Sequence, residues 1–242
     1  MNFSPRLKNA VFLPDLVLRC IGLLPAPLIH NVEKSIALKM AFWHQAVDQI
    51  EGAYVEFGVA SGNSMRSAEL AERGSGSKSL GIPRITRELV GFDTFDAFSS
   101  TSEDDIHKTW SGNNFSVPIS RVKNRFRRVQ NRVSLHAIDC SKLSADSREY
   151  GPIKNYVRSA NVAIVLFDMD LGDPTEKALD WVRPKLQDGT IILFDEFFAY
   201  KGNSLLGEAG AWAKFLKRNP GISSRIIKTY GDGGVVLQIS FN

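Results

Sequence analysis

Apolar and polar positions along the chain fall into blocks that predict strands followed by helices. Short, continuous apolar runs recur, and most are followed by a segment in which apolar residues return every three or four positions. Strands that alternate with helices predict an α/β fold on a doubly wound, mostly parallel sheet. The predicted strands are residues 54–58, 89–92, 133–138, Val162–Phe167, 190–194, 225–230 and 235–241, and the predicted helices are residues 33–49, Asn63–Arg73, 175–186 and 206–218.

The last two predicted strands break this alternation. They are joined by Gly231, Asp232, Gly233 and Gly234, which is the composition of a tight hairpin. One strand of that hairpin must run antiparallel to its neighbours. We therefore expect a Rossmann-like sheet of seven strands that is parallel except for an antiparallel C-terminal hairpin strand.

The N-terminal part, residues 1–52, is predicted to be a helical appendage to a main domain at residues 53–242. The helical period at residues 33–49 leaves three roles open: it could cover the sheet, act as a lid, or pair with a second subunit in a homo-oligomer. A second candidate lid is the polar stretch at residues 99–114, which is long for a connection within a compact domain.

Composition limits the class of protein. A chain of 242 residues with 43% hydrophobic content suits one large α/β domain, and a net charge of +4 does not require a nucleic-acid partner. Cys20 and Cys140 lack the paired spacing of a metal or redox motif, which favours free thiols in a reducing compartment. Prolines and charges interrupt the apolar segment at residues 11–29, so we expect neither an export signal nor a membrane span, and a cytoplasmic protein.

Acidic residues directly follow two of the apolar runs. Asp168 and Asp170 come after the run at Val162–Phe167, and Asp195 and Glu196 come after the run that ends at Phe194. A wholly apolar run predicts a strand buried on both faces, so these carboxylates should emerge at the carboxyl edge of the sheet. Open α/β folds bind their ligands at that edge.

A glycine-containing turn lies between the first predicted strand and its helix. Gly58 allows a sharp turn, Gly62 allows a ligand to approach the backbone, and the amides that open the helix offer donors to an anion. A tight structural turn would have the same composition. The candidate cofactor-binding residues in this segment are Glu56, Gly58, Val59, Ala60, Ser61, Gly62 and Ser64.

Acids also end the second and third predicted strands. Asp93, followed by Thr94, is placed to accept the hydroxyls of a ribose, and Asp139 could face an adenine amino group, although each could instead cap a helix. The turn lacks the third glycine of the dinucleotide fingerprint, and Asp93 is farther from it than is usual. S-adenosylmethionine, with one ribose, one adenine and a carboxylate, fits better, and the element order resembles the class I methyltransferase fold.

Four segments, at residues 54–59, 91–96, 168–171 and 186–196, resemble the macrocin O-methyltransferase family. The resemblance covers the chain from about Ala53 to Phe215. It implies S-adenosylmethionine-dependent methyl transfer to a hydroxyl of a small molecule, most plausibly a sugar or glycoside, with Mg²⁺ assistance. It also implies metal ligands at Asp168, Asp195 and Glu196. The same likeness assigns the donor site to Glu56, Gly58, Ser61, Gly62, Ser64, Asp93 and Asp139.

Magnesium suits this set of oxygens, because it binds a few carboxylates and keeps other positions for water or a substrate hydroxyl. It would lower the pKa of a bound alcohol. Three carboxylates without balancing bases would repel one another strongly, which also favours a cation.

Asp168 is the candidate proton acceptor, chosen for its position at the end of the fourth predicted strand. His30 and the other histidines are scattered and are expected to be ordinary surface or core residues.

Two rival functions are open. A basic run could receive RNA or DNA; its members are Arg121, Lys123, Arg125, Arg127, Arg128 and Arg132. Against nucleic acid, the sequence around Asp168 lacks the proline-aromatic motif of base methylation, and no lysine stands near it to activate a ribose hydroxyl. The other rival is a non-catalytic binding protein that retains the fold.

Overall fold

The structure is a computed structural model that describes residues 17–96, 116–143 and 149–242. Its core is a sheet of seven strands in the order β3-β2-β1-β4-β5-β7-β6. The strands are β1 (Ala53–Phe57), β2 (Leu89–Asp93), β3 (Val133–Ala137), β4 (Val162–Phe167), β5 (Leu186–Phe194), β6 (Ile222–Tyr230) and β7 (Gly234–Phe241). The helices with full bounds are α1 (Ala26–Val47), α2 (Asn63–Arg73), α3 (Ile119–Arg125), α4 (Gly172–Val182) and α5 (Gly207–Arg218).

The strand directions confirm the predicted fold class. β1 pairs in parallel with β2 and β4, and β3 and β5 extend the parallel ladder on either side. β7 runs antiparallel between β5 and β6, and its register with β6 closes at Tyr230 and Gly234, as the hairpin composition predicts. The strand order reverses between β1 and β4. In a doubly wound sheet the reversal opens a crevice at the carboxyl ends of the strands.

Apolar layers cover both faces of the sheet. All residues of β4 are buried, and from Ile164 to Phe167 successive side chains belong alternately to two different core clusters. On one face, Phe57 stacks between Phe92 and Phe167 at ring-centroid distances of 5.2 Å, and Phe167 stacks on Phe194 at 5.1 Å. Burying each such ring contributes about 2 to 3 kcal/mol. The polar residues that follow these strands are therefore fixed at one rigid edge.

Helix α1 covers the other face of the sheet. Pro25 precedes its first turn, and the helix begins at Ala26 rather than at residue 33 as the period suggested. Leu38 and Phe42 are buried in the same cluster as Tyr54 of β1, so the helix packs against the sheet. Covering the sheet was one of the three roles left open by the sequence. The division at residue 52 stays a prediction.

Other boundaries differ from the predicted ones in ways that proline and glycine explain. Helix α4 ends at Val182, because Pro184 cannot continue the helical hydrogen bonding, and β5 starts at Leu186 and includes the turn residue Gly189. The candidate lid at residues 99–114 lies outside the described residues. Within the described parts of the chain, no helix is both long enough and apolar enough to cross a membrane.

Candidate active site

A cavity of about 860 Å³ opens at the carboxyl ends of β1, β2, β4 and β5. Helix α1 forms one wall of it and the turn between β6 and β7 another, through Asp232 and Gly233. Most of the residues predicted from the sequence line this cavity. They are Gly58, Val59, Ala60, Ser61, Ser64, Asp93, Thr94, Asp139, Asp168, Asp195 and Glu196.

The turn after β1 contains two glycines, and the structure requires glycine at each position for a different reason. Gly58 has φ +89, and a Cβ there would lie 1.8 Å from the carbonyl oxygen of Asp168, so glycine lets the ends of β1 and β4 approach each other. Gly62 has φ +77 at the N-cap of α2 and faces Val122 and Phe126, which lie behind the cavity wall. Gly62 therefore shapes the turn by packing rather than by facing the cavity.

Asp93 fixes the shape of the glycine turn. Its carboxylate accepts a hydrogen bond of 2.8 Å from the backbone amide of Ala60 and one of 2.6 Å from that of Phe95. Thr94 lies beside it and donates to the carbonyl oxygen of Asp96. Because each carboxylate oxygen has two lone pairs, Asp93 can hold the turn and still accept a hydroxyl from the cavity.

Asp139 has the capping role that the sequence left as an alternative. It precedes a short 3₁₀ helix, and one carboxylate oxygen accepts from the backbone amide of Ser141 at 3.0 Å and from its hydroxyl at 2.6 Å. The other oxygen lies 3.6 Å from the ammonium of Lys142. Asp139 lines the cavity all the same, so capping places its carboxylate at the site.

Glu56 lies behind the cavity wall. It is fully buried in β1, and its two carboxylate oxygens accept hydrogen bonds from the Tyr54 hydroxyl at 2.5 Å and the Ser64 hydroxyl at 2.6 Å. Burial raises its pKa to about 7, although both hydrogen bonds act in the opposite direction. Glu56 thus orients Ser64, which does line the cavity.

The two acidic clusters converge, as the sequence predicted. Asp168 and Asp170 follow β4, Asp195 and Glu196 follow β5, and all four line the cavity. Asp170 belongs to this group although it was left out of the predicted ligand set. It holds φ +63, a left-handed conformation that aspartate tolerates better than most residues.

A lysine from α1 lies between the clusters, and the prediction that no lysine stands near Asp168 was wrong. The Lys34 ammonium lies 2.8 Å from Asp168 Oδ2 and also pairs with Asp195 Oδ2. Burial lowers the pKa of Lys34, but the two carboxylates outweigh that effect and raise it above its ordinary value. Lys34 therefore stays protonated and cannot act as a base. It also supplies the balancing charge that the sequence argument took to be missing.

Two groups besides Lys34 contact the Asp195 carboxylate, His30 and the Tyr230 hydroxyl. His30 Nε2 lies 3.0 Å from Asp195 Oδ1, and its Nδ1 lies 2.6 Å from Asp232; these are ion-pair distances without hydrogen-bond alignment. The Tyr230 hydroxyl lies 3.0 Å from both Asp195 Oδ1 and the Phe194 carbonyl oxygen. The contact with Asp195 raises the pKa of His30, and His30 and Lys34 hold the pKa of Asp195 low against the effect of burial.

The remaining acids of the cluster lie close together, and this crowding favours their protonated forms. Burial and the neighbouring carboxylates raise the pKa of Glu196, and they do the same for Glu208, which accepts from the Glu196 backbone amide at 2.9 Å. Burial raises the pKa of Asp170 to about 6. The neighbouring Glu196 side chain acts in the opposite direction on the pKa of Asp170.

This donor set fits a divalent cation. Ligand oxygens of Asp168, Asp170 and Glu196 lie within 4.8 Å of one another, and Glu196 Oε2 is buried without a hydrogen-bond partner among the described residues. A second grouping joins His30, Asp195 and Glu196. Magnesium prefers oxygen ligands, so the all-carboxylate set is the better one for that ion.

Sequence reasoning missed several residues of the site, and one signal could have found two of them. His30 and Lys34 are four residues apart and in register with Ala37, Leu38 and Ala41 on the buried face of α1. A lysine on the apolar face of a helix needs a buried acidic partner.

Three aromatic residues follow Asp195 and Glu196. Tyr200 lines the cavity, Phe197 packs against the core, and Phe198 is exposed.

The basic run around α3 is partly used within the protein. Arg125 donates to the Ser61 carbonyl oxygen and to Asn63 Oδ1, and Arg132 pairs with the buried carboxylates of Glu69 and Glu72. The other members of the run are exposed. Two of its charges thus stabilise the glycine turn and α2 rather than forming a free basic stripe.

Comparison with solved structures identifies the fold. "Structure of the O-methyltransferase NovP" is 18% identical to this chain, with a TM-score of 0.62 over 86% of this chain and 80% of that one. "Crystal Structure of CalS11, Calicheamicin Methyltransferase" is 21% identical, with a TM-score of 0.63 over 98% of this chain and 94% of that one. A second structure of CalS11, described as a TDP-rhamnose 3'-O-methyltransferase, is 22% identical with a TM-score of 0.54.

At these identities the likeness establishes a shared fold. No protein-family model matches the chain, and no curated protein matches it. The Rossmann-like methyltransferase fold expected from the sequence is confirmed, and the closer resemblance to the macrocin family stays a prediction.

Proposed function

We propose that this protein is an S-adenosylmethionine-dependent, Mg²⁺-assisted O-methyltransferase that acts on a hydroxyl of a small molecule, with a sugar or glycoside as the acceptor class. One observation carries the proposal: the glycine turn with Asp93 and Asp139, and the acids after β4 and β5, open into a single cavity. Such a cavity can hold a nucleoside-type donor and a metal-bound acceptor side by side.

The donor half of the cavity follows the ends of β1, β2 and β3. Asp93 offers lone pairs to a ribose, Asp139 lies at the next strand end, and the amides that open α2 offer donors to a carboxylate. S-adenosylmethionine, when bound there, supplies a methyl group activated by its sulfonium. Val59 and Ile138, both buried, contribute apolar surface beside these polar groups.

The acceptor half follows the ends of β4 and β5. Asp168, Asp170 and Glu196 would hold the Mg²⁺, which when bound supplies a Lewis acid for the acceptor hydroxyl. In the transfer the acceptor oxygen forms a bond to the methyl carbon, the carbon–sulfur bond breaks, and the hydroxyl proton leaves to a carboxylate. S-adenosylhomocysteine is the second product.

Two carboxylates are placed to take that proton. Asp168 was the choice from sequence, but one of its oxygens is held by Lys34. The pKa of Asp170, about 6, suits a proton acceptor near neutral pH. D168N and D170N should both lose at least about a hundredfold in turnover, a typical general-base contribution, while their S-adenosylmethionine affinity stays within a few-fold of wild type. A fully active variant would remove that residue from the mechanism.

Donor binding is the direct test of the proposal. Isothermal titration calorimetry with S-adenosylmethionine should show a single site in the wild-type protein, and D93A should abolish it. K39M, which changes an exposed lysine of α1, is the matched control and should bind normally. Absence of binding by the wild-type protein would favour a non-catalytic protein that retains the fold.

The acceptor class needs a transfer assay. Methyl-labelled S-adenosylmethionine should be incubated with panels of sugars, nucleotide sugars, glycosides, phenols, RNA and DNA, with MgCl₂ or with EDTA, and the products identified by mass spectrometry. We expect label on a sugar hydroxyl and loss of transfer in EDTA. Turnover that is unchanged in EDTA would remove the metal, and label on RNA or DNA alone would favour the nucleic-acid function.

A further inference from the structure

Lys34 occupies a position that a metal ligand set would otherwise use. Its ammonium pairs with Asp168 Oδ2 and with Asp195 Oδ2, and the side chain is 8% exposed. The other oxygen of Asp195 faces His30 and the Tyr230 hydroxyl. Both oxygens of Asp195 are therefore engaged by groups of the protein itself, and these three contacts come from α1 and the end of β6.

The remaining carboxylates lack such compensation. Asp168 has one oxygen outside the Lys34 pair, and the ligand oxygens of Asp168, Asp170 and Glu196 come within 4.8 Å of one another. Glu196 Oε2 is buried and has no hydrogen-bond partner in the part of the chain that the structure describes. A buried, unpartnered carboxylate oxygen beside two other carboxylates is a position that a cation stabilises.

We propose that Lys34 is a built-in cation that removes Asp195 from the metal ligand set, leaves Asp168, Asp170 and Glu196 as the ligands, and weakens divalent-cation binding. This inference rests on the metal assigned in the proposed function. Lys34 acts in two ways. Its positive charge repels a divalent ion held by the adjacent carboxylates, and its pairing with Asp195 keeps that carboxylate from becoming a fourth ligand.

The test measures binding of Mn²⁺ by electron paramagnetic resonance, without donor or acceptor. K34M should bind Mn²⁺ at least about tenfold more tightly than wild type, because a repelling charge is lost and Asp195 is released. K34R keeps the charge and should stay within about threefold of wild type. K39M changes a lysine on the exposed side of the same helix and should leave the affinity unchanged. Equal or weaker binding by a folded K34M would overturn the proposal.

A second comparison keeps the proposal testable if K34M does not fold. With Lys34 in place, D170N should weaken Mn²⁺ binding at least about thirtyfold, whereas D195N should weaken it less than about fivefold. Equal losses would show that Asp195 ligates the metal despite Lys34. In the K34M background, D195N should cancel much of the gained affinity, since Asp195 would then be a ligand. Circular dichroism of each variant checks folding.

The same experiment separates this inference from the proposed function. Mn²⁺ binding by K34M but not by wild type would overturn the three-carboxylate ligand set of the wild-type protein and remove the metal from the proposed function. Failure of every variant to bind Mn²⁺, K34M included, overturns the inference and removes the metal from the proposed function. S-adenosylmethionine binding by the same samples then reports separately on the methyl-donor site.

Discussion

Replacing Glu56 with glutamine should change how stability depends on pH. Glu56 is fully buried, and its pKa is raised from 4.5 to about 7, mainly by burial. The folded state therefore holds a proton between these two values that the unfolded state releases. The contribution of protonated Glu56 to the free energy of unfolding is fully present below pH 4.5 and is lost as the pH rises through 7.

The size of the effect follows from the shift. Each pKa unit corresponds to about 1.4 kcal/mol, so the shift of Glu56 corresponds to about 3 kcal/mol of unfolding free energy. Glutamine has nearly the same shape and no titration. It can accept from Ser64 or Tyr54 with its oxygen and donate to the other hydroxyl with its amide.

Urea unfolding at closely spaced pH values between 4 and 8 measures this directly. The free energy of unfolding of E56Q minus that of wild type should rise by about 3 kcal/mol between pH 4.5 and 7.5 and be flat beyond. E51Q, which alters an exposed glutamate nearby, is the control for general charge effects. A difference between E56Q and wild type that is constant over this range, with E51Q behaving as wild type, would refute a buried Glu56 with a raised pKa.

Three further substitutions test the packing of the site and its supports. G58A should lower the free energy of unfolding by about 3 kcal/mol or more and abolish donor binding, because the added Cβ would meet the Asp168 carbonyl oxygen. Gly81 is also left-handed, but the space around it is open, so G81A should lower the free energy of unfolding by only about 1 kcal/mol in the same thermal melts. Y230F should lower the unfolding free energy by about 1 to 3 kcal/mol, since Asp195 loses a buried hydroxyl partner; an unchanged urea midpoint would exclude that contact. R132M removes the arginine that pairs with the buried carboxylates of Glu69 and Glu72, and it should lower the free energy of unfolding by about 3 kcal/mol. R84M, which removes a more exposed arginine, should lower it by less than about 1 kcal/mol. Equal losses in the two variants would argue against burial as the cause.

The fold and the edge of the sheet that carries the site could be predicted because their signals are local. An apolar run followed by Asp168, or by Asp195, places a carboxylate at a strand end whatever the rest of the chain does. The turn at residues 231–234 likewise contains its own hairpin signal. Each of these features depends on neighbouring residues, and sequence reasoning identifies it well.

The contacts between distant segments could not be predicted in the same way. Lys34 is separated from Asp168 by 134 positions, and nothing near either residue indicates the other. The position of Asp170 within the cluster depends on a left-handed backbone conformation that its neighbours do not signal. The role of Glu56 depends on the direction of its side chain toward Tyr54, and that of Gly62 on the close packing of its backbone against Val122.

The meeting of α1 with the β6–β7 turn has a consequence for biosynthesis. Glu33 accepts a hydrogen bond from the Gly231 backbone amide, a contact that spans 198 positions, and His30 reaches Asp232 beside it. While the polypeptide is still emerging from the ribosome, Asp195 is made long before Tyr230 and the turn that follows it. Closing so long a loop carries an entropic cost that contacts within the sheet must offset. The pocket should therefore close only after Tyr230 and the β6–β7 turn have been made, and a nascent chain stalled before Tyr230 should expose the acids that these segments enclose.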